Sequence, residues 1–325
     1  MIKTAWQFLK RRYLLTLAVV LVCLILGGII LAIGASAPTD FPERAIVSIS
    51  PGMGLTQTAN VLKENKIIRS PFLFKVFIVL LSGQKKILSG DYLFEQPMSA
   101  LRVAHRVSLG IQGLPKITVK IIEGSTIAQI GTKLKNAIPE FDLPTFLIIA
   151  KPLEGYLFPD TYFFYENAKP QDVVDTLRQN FNNHIKEALL AIQASGKPLA
   201  DVITMASIVE REATSSLDRR IIAGILWKRI EIGMPLQVDP PFFYILGKDS
   251  AALTLKDLAM DSPYNLYKHL GLPPTPIGNP GLEAIQDTVN PTTSKYLFYL
   301  SDNKGNMHYA ATHDGHLANK AKYLQ

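Results

Sequence analysis

The chain has 325 residues, 48% of them hydrophobic, and a formal charge of +7; that is enough apolar chain for two domains beside a membrane segment, and it excludes a disordered tail. Four positive charges, Lys3, Lys10, Arg11 and Arg12, precede the first apolar stretch, so the rest of the chain carries only +3, too mild to point to nucleic acid. A single cysteine, Cys23, excludes an intramolecular disulfide framework and a multi-cysteine zinc site.

Residues 13–33 contain no charge, a run long enough to span about 30 Å of hydrocarbon. The basic residues ahead of it, set against Asp40 and Glu43 behind it, place residues 1–12 in the cytoplasm by the positive-inside rule and everything after residue 40 outside. A cleaved signal peptide is the alternative, because Ala35-Ser-Ala37 resembles a cleavage site, although the apolar region would then be unusually long. Lipidation of Cys23 is disfavoured by the bulk of Val22 before it.

Laid on itself with an offset of 72, the chain repeats: Val47/Val119, Ile49/Ile121, Gly52/Gly124, Gln57/Gln129, Leu62/Leu134 and Lys63/Lys135 match. Each copy reads as a strand, a tight turn and an amphipathic helix. Between them, Ser70-Pro71 starts a helix through about Leu81, Leu88 to Phe94 reads as a strand, and Ser99 starts another helix. These elements predict a small α+β domain over 44–112, with residues 113–325 forming the next domain.

From Leu153 to Tyr165 the chain becomes aromatic, with Glu154 and Asp160 embedded in it. Aromatic faces beside carboxylates suit a sugar, and Glu154, Asp160 and Tyr162 are candidates to line a cleft. The same residues read equally well as an aromatic core strand with capping acids. Pro170 opens a helix predicted to reach about Ala194, and Pro198 opens the next one.

That second helix holds Thr204 to Thr214, where Glu210 and Glu212 interrupt an apolar run. Carboxylates rarely enter apolar surroundings unless paired or working. Two positions apart, they lie about 200° apart around a helix, so at most one can face a cleft. A Glu beside apolar packing has its neutral form favoured, which makes it a general acid near neutral pH. Solvated glutamates paired with Arg211 and Arg219 are the other reading. Further on, Ile221 to Ile232 predicts a helix ending at Gly233, and strands at Tyr296 to Asp302 and Met307 to Ala311 flank an Asn303-Lys-Gly turn.

Four motifs together, Met205-Ala-Ser-Ile-Val-Glu-Arg-Glu212, Leu153-Glu-Gly-Tyr-Leu-Phe-Pro-Asp-Thr-Tyr162, Arg229-Ile-Glu-Ile-Gly-Met-Pro-Leu-Gln-Val-Asp-Pro240 and Gly271-Leu-Pro-Pro-Thr-Pro-Ile-Gly-Asn-Pro-Gly281, give a chain that resembles the MltG (YceG-like) endolytic murein transglycosylases over essentially its whole length. The resemblance implies an α+β protein with an N-terminal transmembrane helix, a LysM-like module and a mostly helical catalytic domain with a few strands. It implies that Glu212, the second Glu of its motif, is the catalytic acid and base, leaving Glu210 a supporting neighbour. The reaction implied is cleavage, without water and without a cofactor or metal, of the β-1,4 bond between N-acetylmuramic acid and N-acetylglucosamine inside peptidoglycan strands, giving 1,6-anhydro ends. Gln237, Asp239, Tyr264, Asn265 and Asn279 become candidates to hydrogen-bond the sugars, although Asn and Asp beside Pro and Gly are also ordinary turn formers. The implied setting is the inner membrane and its lipid, with the catalytic domain in the periplasm beside peptidoglycan synthases of the elongation or division machinery.

Some positions depart from the family pattern. Asp239-Pro240-Pro241 replaces Asp-Pro-Thr, and the tail Tyr309 to Leu317 keeps Thr312 and His316 but has Gly315 and Leu317 where Glu and Asn are usual. The same tail offers His308, His313, Asp314 and His316 as zinc ligands by type, at a spacing that fits no metal motif, with Asp314 a candidate helix cap. Two further alternatives are a muramidase using Glu210 or Glu154 to activate water and a catalytically inactive cell-wall scaffold.

Overall fold

The structure, a computed structural model, describes residues 2–82 and 87–324, with side chains described from Thr16 onward except at Ser82. The basic cluster Lys3, Lys10, Arg11 and Arg12 therefore lies outside the described side chains. The chain is helix-rich with small antiparallel sheets, and it divides into two compact units, Met1–Pro115 and Lys116–Gln325.

The first unit begins with helix α1, Ile2–Ala35, whose stretch Thr16–Ala35 is long and apolar enough to cross a membrane and is exposed along its length. Strand β1 (Ala45–Ile49), helices α2 (Leu55–Glu64) and α3 (Pro71–Ser82), strand β2 (Gly90–Phe94) and helix α4 (Ala100–Leu109) follow. β1 and β2 pair antiparallel from Ala45↔Phe94 to Ile49↔Gly90. Alternation turns Val47 and Ile49 inward, onto Leu62, Phe74, Tyr92 and Phe94. Ser70 Oγ accepts the Leu73 N–H at the start of α3, and Ser99 Oγ accepts the Arg102 N–H at the start of α4, which is why both helices begin where their caps predict. The strand predicted from Leu88 is ladder-paired only from Gly90.

The second unit opens with the same plan. Strand β3 (Lys116–Lys120), helices α5 (Ile127–Ala137) and α6 (Leu143–Ala150), strand β4 (Thr161–Tyr165) and helix α7 (Pro170–His184) repeat the order strand, helix, helix, strand, helix. Its strands pair antiparallel from Lys116↔Tyr165 to Lys120↔Thr161, the same sequence separation as in the first unit. The duplication is thus larger than the strand, turn and helix legible in the matched residues. At the tight turn of each copy, Gly52 (φ +82°) and Gly124 (φ +73°) occupy the left-handed region that side chains disfavour. The aromatic stretch becomes a core strand, with Tyr162 and Phe164 inward and Phe163 outward.

The helix predicted over Pro170 to Ala194 is broken. A 3-10 turn at Ile185–Glu187 separates α7 from α8 (Leu189–Ser195). The buried stripe Phe181, Ile185, Ala188, Ile192 runs through the break, so apolar periodicity could not reveal it. Helices α9 (Leu199–Glu212) and α10 (Ser216–Glu231) follow, the latter starting five residues before its predicted start because Ser215 Oγ caps it through the Asp218 N–H at 3.1 Å. Short helices α11 (Pro240–Leu246) and α12 (Leu255–Leu258), helix α13 (Leu282–Val289), the hairpin β5 (Phe298–Ser301) and β6 (Met307–Ala310), and helix α14 (His313–Tyr323) complete the unit. α9 packs against α10, α11 and α13, with Val202 through Val209 buried.

Candidate active site

Eight consecutive buried residues on α9 fix that helix in the core, and Glu212 is its last residue. The carboxyl opens onto a cleft of about 410 Å³, whose lining includes Arg229, Gln237, Asp239, Tyr267 and His316. Burial of the half-buried Glu212 pushes its carboxyl up to about 7; the negative charge of Asp239 adds to this, while the Tyr299 hydroxyl and the Arg229 charge oppose it. The carbonyl end of α9, a partial negative pole, also disfavours the ionised form. The Tyr299 hydroxyl is buried beside Glu212 but meets no partner at full hydrogen-bonding geometry, so it acts on the carboxyl through proximity. Arg229 is drawn away by backbone: its Nε donates to Leu297 O at 2.8 Å and its guanidinium to Leu236 O at 2.5 Å. Glu212 has no ion pair within 4 Å among the described residues, which leaves it free to hold a proton.

Glu210 points elsewhere, as the 200° separation requires. Its Oε2 accepts the Gly281 N–H at 2.8 Å, and Oε1 lies 4.0 Å from Arg219. Burial raises its carboxyl too, partly offset by the Gly281 N–H and Arg219. Arg219 is the hub of this side: Nε donates to Asp287 Oδ2 at 2.9 Å, a terminal nitrogen to Glu283, and another to Thr214 O at 3.1 Å. These bonds tie the end of α9 to α10 and α13.

The segment between α10 and α11 presents two polar side chains to the cleft. Gln237 sits at φ +49°, a strained conformation for a residue with a side chain, held by its N–H donating to Leu266 O at 3.0 Å. Asp239 accepts the Tyr267 hydroxyl at 2.7 Å and precedes Pro240 and Pro241 at the first turn of α11, where proline costs nothing. The departure at Pro241 is therefore accommodated by the helix start, and its ring is buried.

The tail supplies the opposite wall. Thr312, rather than Asp314, caps α14, its Oγ1 accepting the Gly315 N–H at 3.2 Å. His316 and Leu317 line the cleft; His316 stacks on Phe298, its Nδ1 is buried without a partner, and burial holds its imidazole below the ordinary value. His308 is engaged with Asp302 at 3.1 Å and stacked on Tyr323, and among the described residues no group of three His, Cys, Asp or Glu is placed to hold a metal ion.

The other candidates lie outside the cleft and brace the fold. Asn279 is fully buried: its Nδ2 donates to Ser125 O and Glu154 Oε1, and its Oδ1 accepts the Leu157 N–H. Glu154 also accepts the Ile127 N–H at the start of α5; burial pushes its carboxyl up to about 7, against the pull of these donors. Asn265, equally buried, spends both N–H bonds on Leu258 O and Met260 O. Neither asparagine has an exposed atom for a sugar, which corrects the expectation for both. Tyr264 bonds Thr275, Tyr162 donates to Phe158 O, and Asp160 accepts from Asn180 on a separate shallow surface. Arg229, Tyr267 and Tyr299 also line the cleft; Arg229 lies within the motif from Arg229 to Pro240, but nothing periodic in the sequence marks the two tyrosines.

One carboxyl that protonates near neutral pH at the edge of a polar cleft has the chemistry of a general acid. The chain belongs to the YceG-like family, whose model matches residues 47–322. It is 29% identical to an endolytic murein transglycosylase of Bacillus subtilis, over 93% of this chain and 91% of that one. It is 33% identical to an endolytic murein transglycosylase of Streptococcus pneumoniae (strain D39), over 53% of this chain and 32% of that longer one. A crystal structure of a yceG-like protein from Listeria monocytogenes superposes with a TM-score of 0.58 at 28% identity, covering 85% of this chain and 99% of that one.

Proposed function

We propose that this chain is an endolytic peptidoglycan lytic transglycosylase, cutting the β-1,4 bond between N-acetylmuramic acid and N-acetylglucosamine within glycan strands. The observation that carries the reading is the Glu212 carboxyl, raised to about 7 and opening on the cleft with Gln237 and Asp239. Glu212 donates its proton to the glycosidic oxygen as positive charge develops at the muramoyl C1. Its carboxylate then takes the proton of the muramoyl C6 hydroxyl, which attacks C1 and closes the 1,6-anhydro ring. One group serves in turn as acid and base, where ordinary glycosidases use two carboxyl groups. Gln237, Asp239 and His316 orient the sugars, and Thr312 keeps the His316 wall in place by capping α14.

The helix α1 anchors the chain in the inner membrane, with its basic end cytoplasmic and the catalytic unit periplasmic, beside peptidoglycan synthases. The first unit acts as the LysM-like module of the family. Full-length protein incubated with purified glycan strands is expected to release anhydro-muramoyl ends, and Glu212→Gln to release none. Persisting release from that variant would remove Glu212 from the mechanism.

A hydrolase is the second reading, and a particular observation favours it: Asp239 is another carboxylate in the same cleft. The two other acids considered for activating water, Glu210 and Glu154, are held by Gly281 and by Ile127. Mass spectrometry separates the readings, since a hydrolysed end carries the mass of one water more than an anhydro end.

A further inference from the structure

Helix α3 reads Pro-Phe-Leu-Phe-Lys-Val-Phe-Ile-Val-Leu-Leu-Ser, with Lys75 its one charged residue. One face builds the core of the first unit, through buried Leu73, Phe74 and Ile78. The other is uncovered: Phe72 is 68% exposed and Leu80 75%, with exposed Val79 between them in sequence. At i, i+7 and i+8 these three form one stripe along the helix, where a water-facing helix carries polar side chains.

The position of α3 says what meets that stripe. Its start is tied to the exit of α1, since Arg69 Nε donates to Ala37 O at 2.8 Å and the Leu73 side chain packs against the space over Gly34. The apolar stripe therefore begins where the stretch Thr16–Ala35 ends. At twelve residues, α3 is about 18 Å long, too short to cross about 30 Å of hydrocarbon.

We propose that α3 lies in the membrane interface as a second lipid contact, with Phe72, Val79 and Leu80 in the acyl boundary. Such helices sink their apolar face about 5–10 Å into that boundary. The first unit is then held against the bilayer surface by two helices rather than tethered to it by one. The inference rests on α1 being a membrane span.

The test uses the full chain in vesicles of phosphatidylcholine and phosphatidylglycerol. A bimane label is placed on the native Cys23 and, in a Cys23→Ser background, on Phe72→Cys or Leu80→Cys. Both new positions are exposed, so the fold is undisturbed. Lipids brominated near the headgroup end of the acyl chain are expected to remove most of the fluorescence at residues 72 and 80, while aqueous iodide removes little. Quenching of these labels by iodide but not by lipid, with Cys23 still quenched by lipid, would overturn the proposal and leave the anchor standing. Shielding of residues 72 and 80 from both quenchers would also overturn it, showing the stripe covered by protein. A Cys23 label insensitive to lipid would remove the anchor itself and the proposal with it.

Discussion

Replacing Glu212 by Gln should abolish turnover and at the same time stabilise the protein, by an amount that depends on pH. The carboxyl is raised from 4.5 to about 7 in the folded chain. A raised carboxyl means that the folded state holds the proton more tightly than the unfolded one. Its stabilising effect is complete below about 4.5 and is lost as pH rises through about 7. At about 1.36 kcal/mol per unit, the shift corresponds to roughly 3 kcal/mol, and the opening of Glu212 to the cleft screens this to about 2 kcal/mol. Gln keeps the shape and stays neutral, so the variant should match wild type near pH 4 and exceed it by about 2 kcal/mol near pH 8. Urea unfolding followed by Trp227 fluorescence measures this in the catalytic unit, because Trp227 is buried there with its Nε1 bonded to Thr288 O; Trp6→Phe removes the competing signal. A difference that is constant between about pH 5 and 8, or a variant less stable near pH 8, would refute a proton held on Glu212. In the same preparations wild-type turnover should decline as pH rises through about 7, and the variant should show none at any pH.

Glu210→Ala removes the acceptor of the Gly281 N–H and one neighbour of Arg219, and should cost about 1–3 kcal/mol in denaturant unfolding while the folded fraction keeps most of its kcat. A loss of kcat as large as that of Glu212→Gln would show that the two acids work together. Gln237→Gly relieves the φ +49° conformation and should leave stability unchanged or raise it by up to about 1 kcal/mol, while raising KM for glycan strands. Chelators should leave turnover intact, as the histidines of the tail are placed for stacking and for Asp302; inhibition reversed by added zinc would reopen a metal-dependent reading.

What the sequence made legible was periodic or local. Caps at Ser70 and Ser99 and the turn geometry at Gly52 and Gly124 act within a few residues, so these elements begin close to where they are predicted. The angular separation of Glu210 and Glu212 is a property of any helix, and the structure sends them to different sides. Asn279 was illegible for the opposite reason. Its partners include Leu157, 122 residues away, and nothing in a Gly-Asn-Pro run tells a sugar contact from a buried brace. Asn265 bonds locally, to Leu258 O and Met260 O, but its burial is set by the tertiary fold and not by its neighbours in sequence. The same holds for Glu154, whose partner N–H lies at the start of α5, and for the cleft wall formed by Tyr267 and Tyr299, which come from an irregular loop and a hairpin. The break after His184 stayed hidden because the apolar stripe ignores it.

The two left-handed glycine turns have had different fates. A side-chain atom added at Gly52 would meet nothing within 4 Å, whereas one at Gly124 would touch Glu210 and Arg211 of α9 at 3.5 and 3.8 Å. The Gly124 carbonyl accepts from Arg211 at 3.2 Å, and its N–H donates to Asn279 O at 2.8 Å. One copy of the turn is thus a surface loop that can change in length, although its φ of +82° still calls for glycine, while its sibling is a buttress under the helix that carries Glu212, where a change in length would break contacts on both sides.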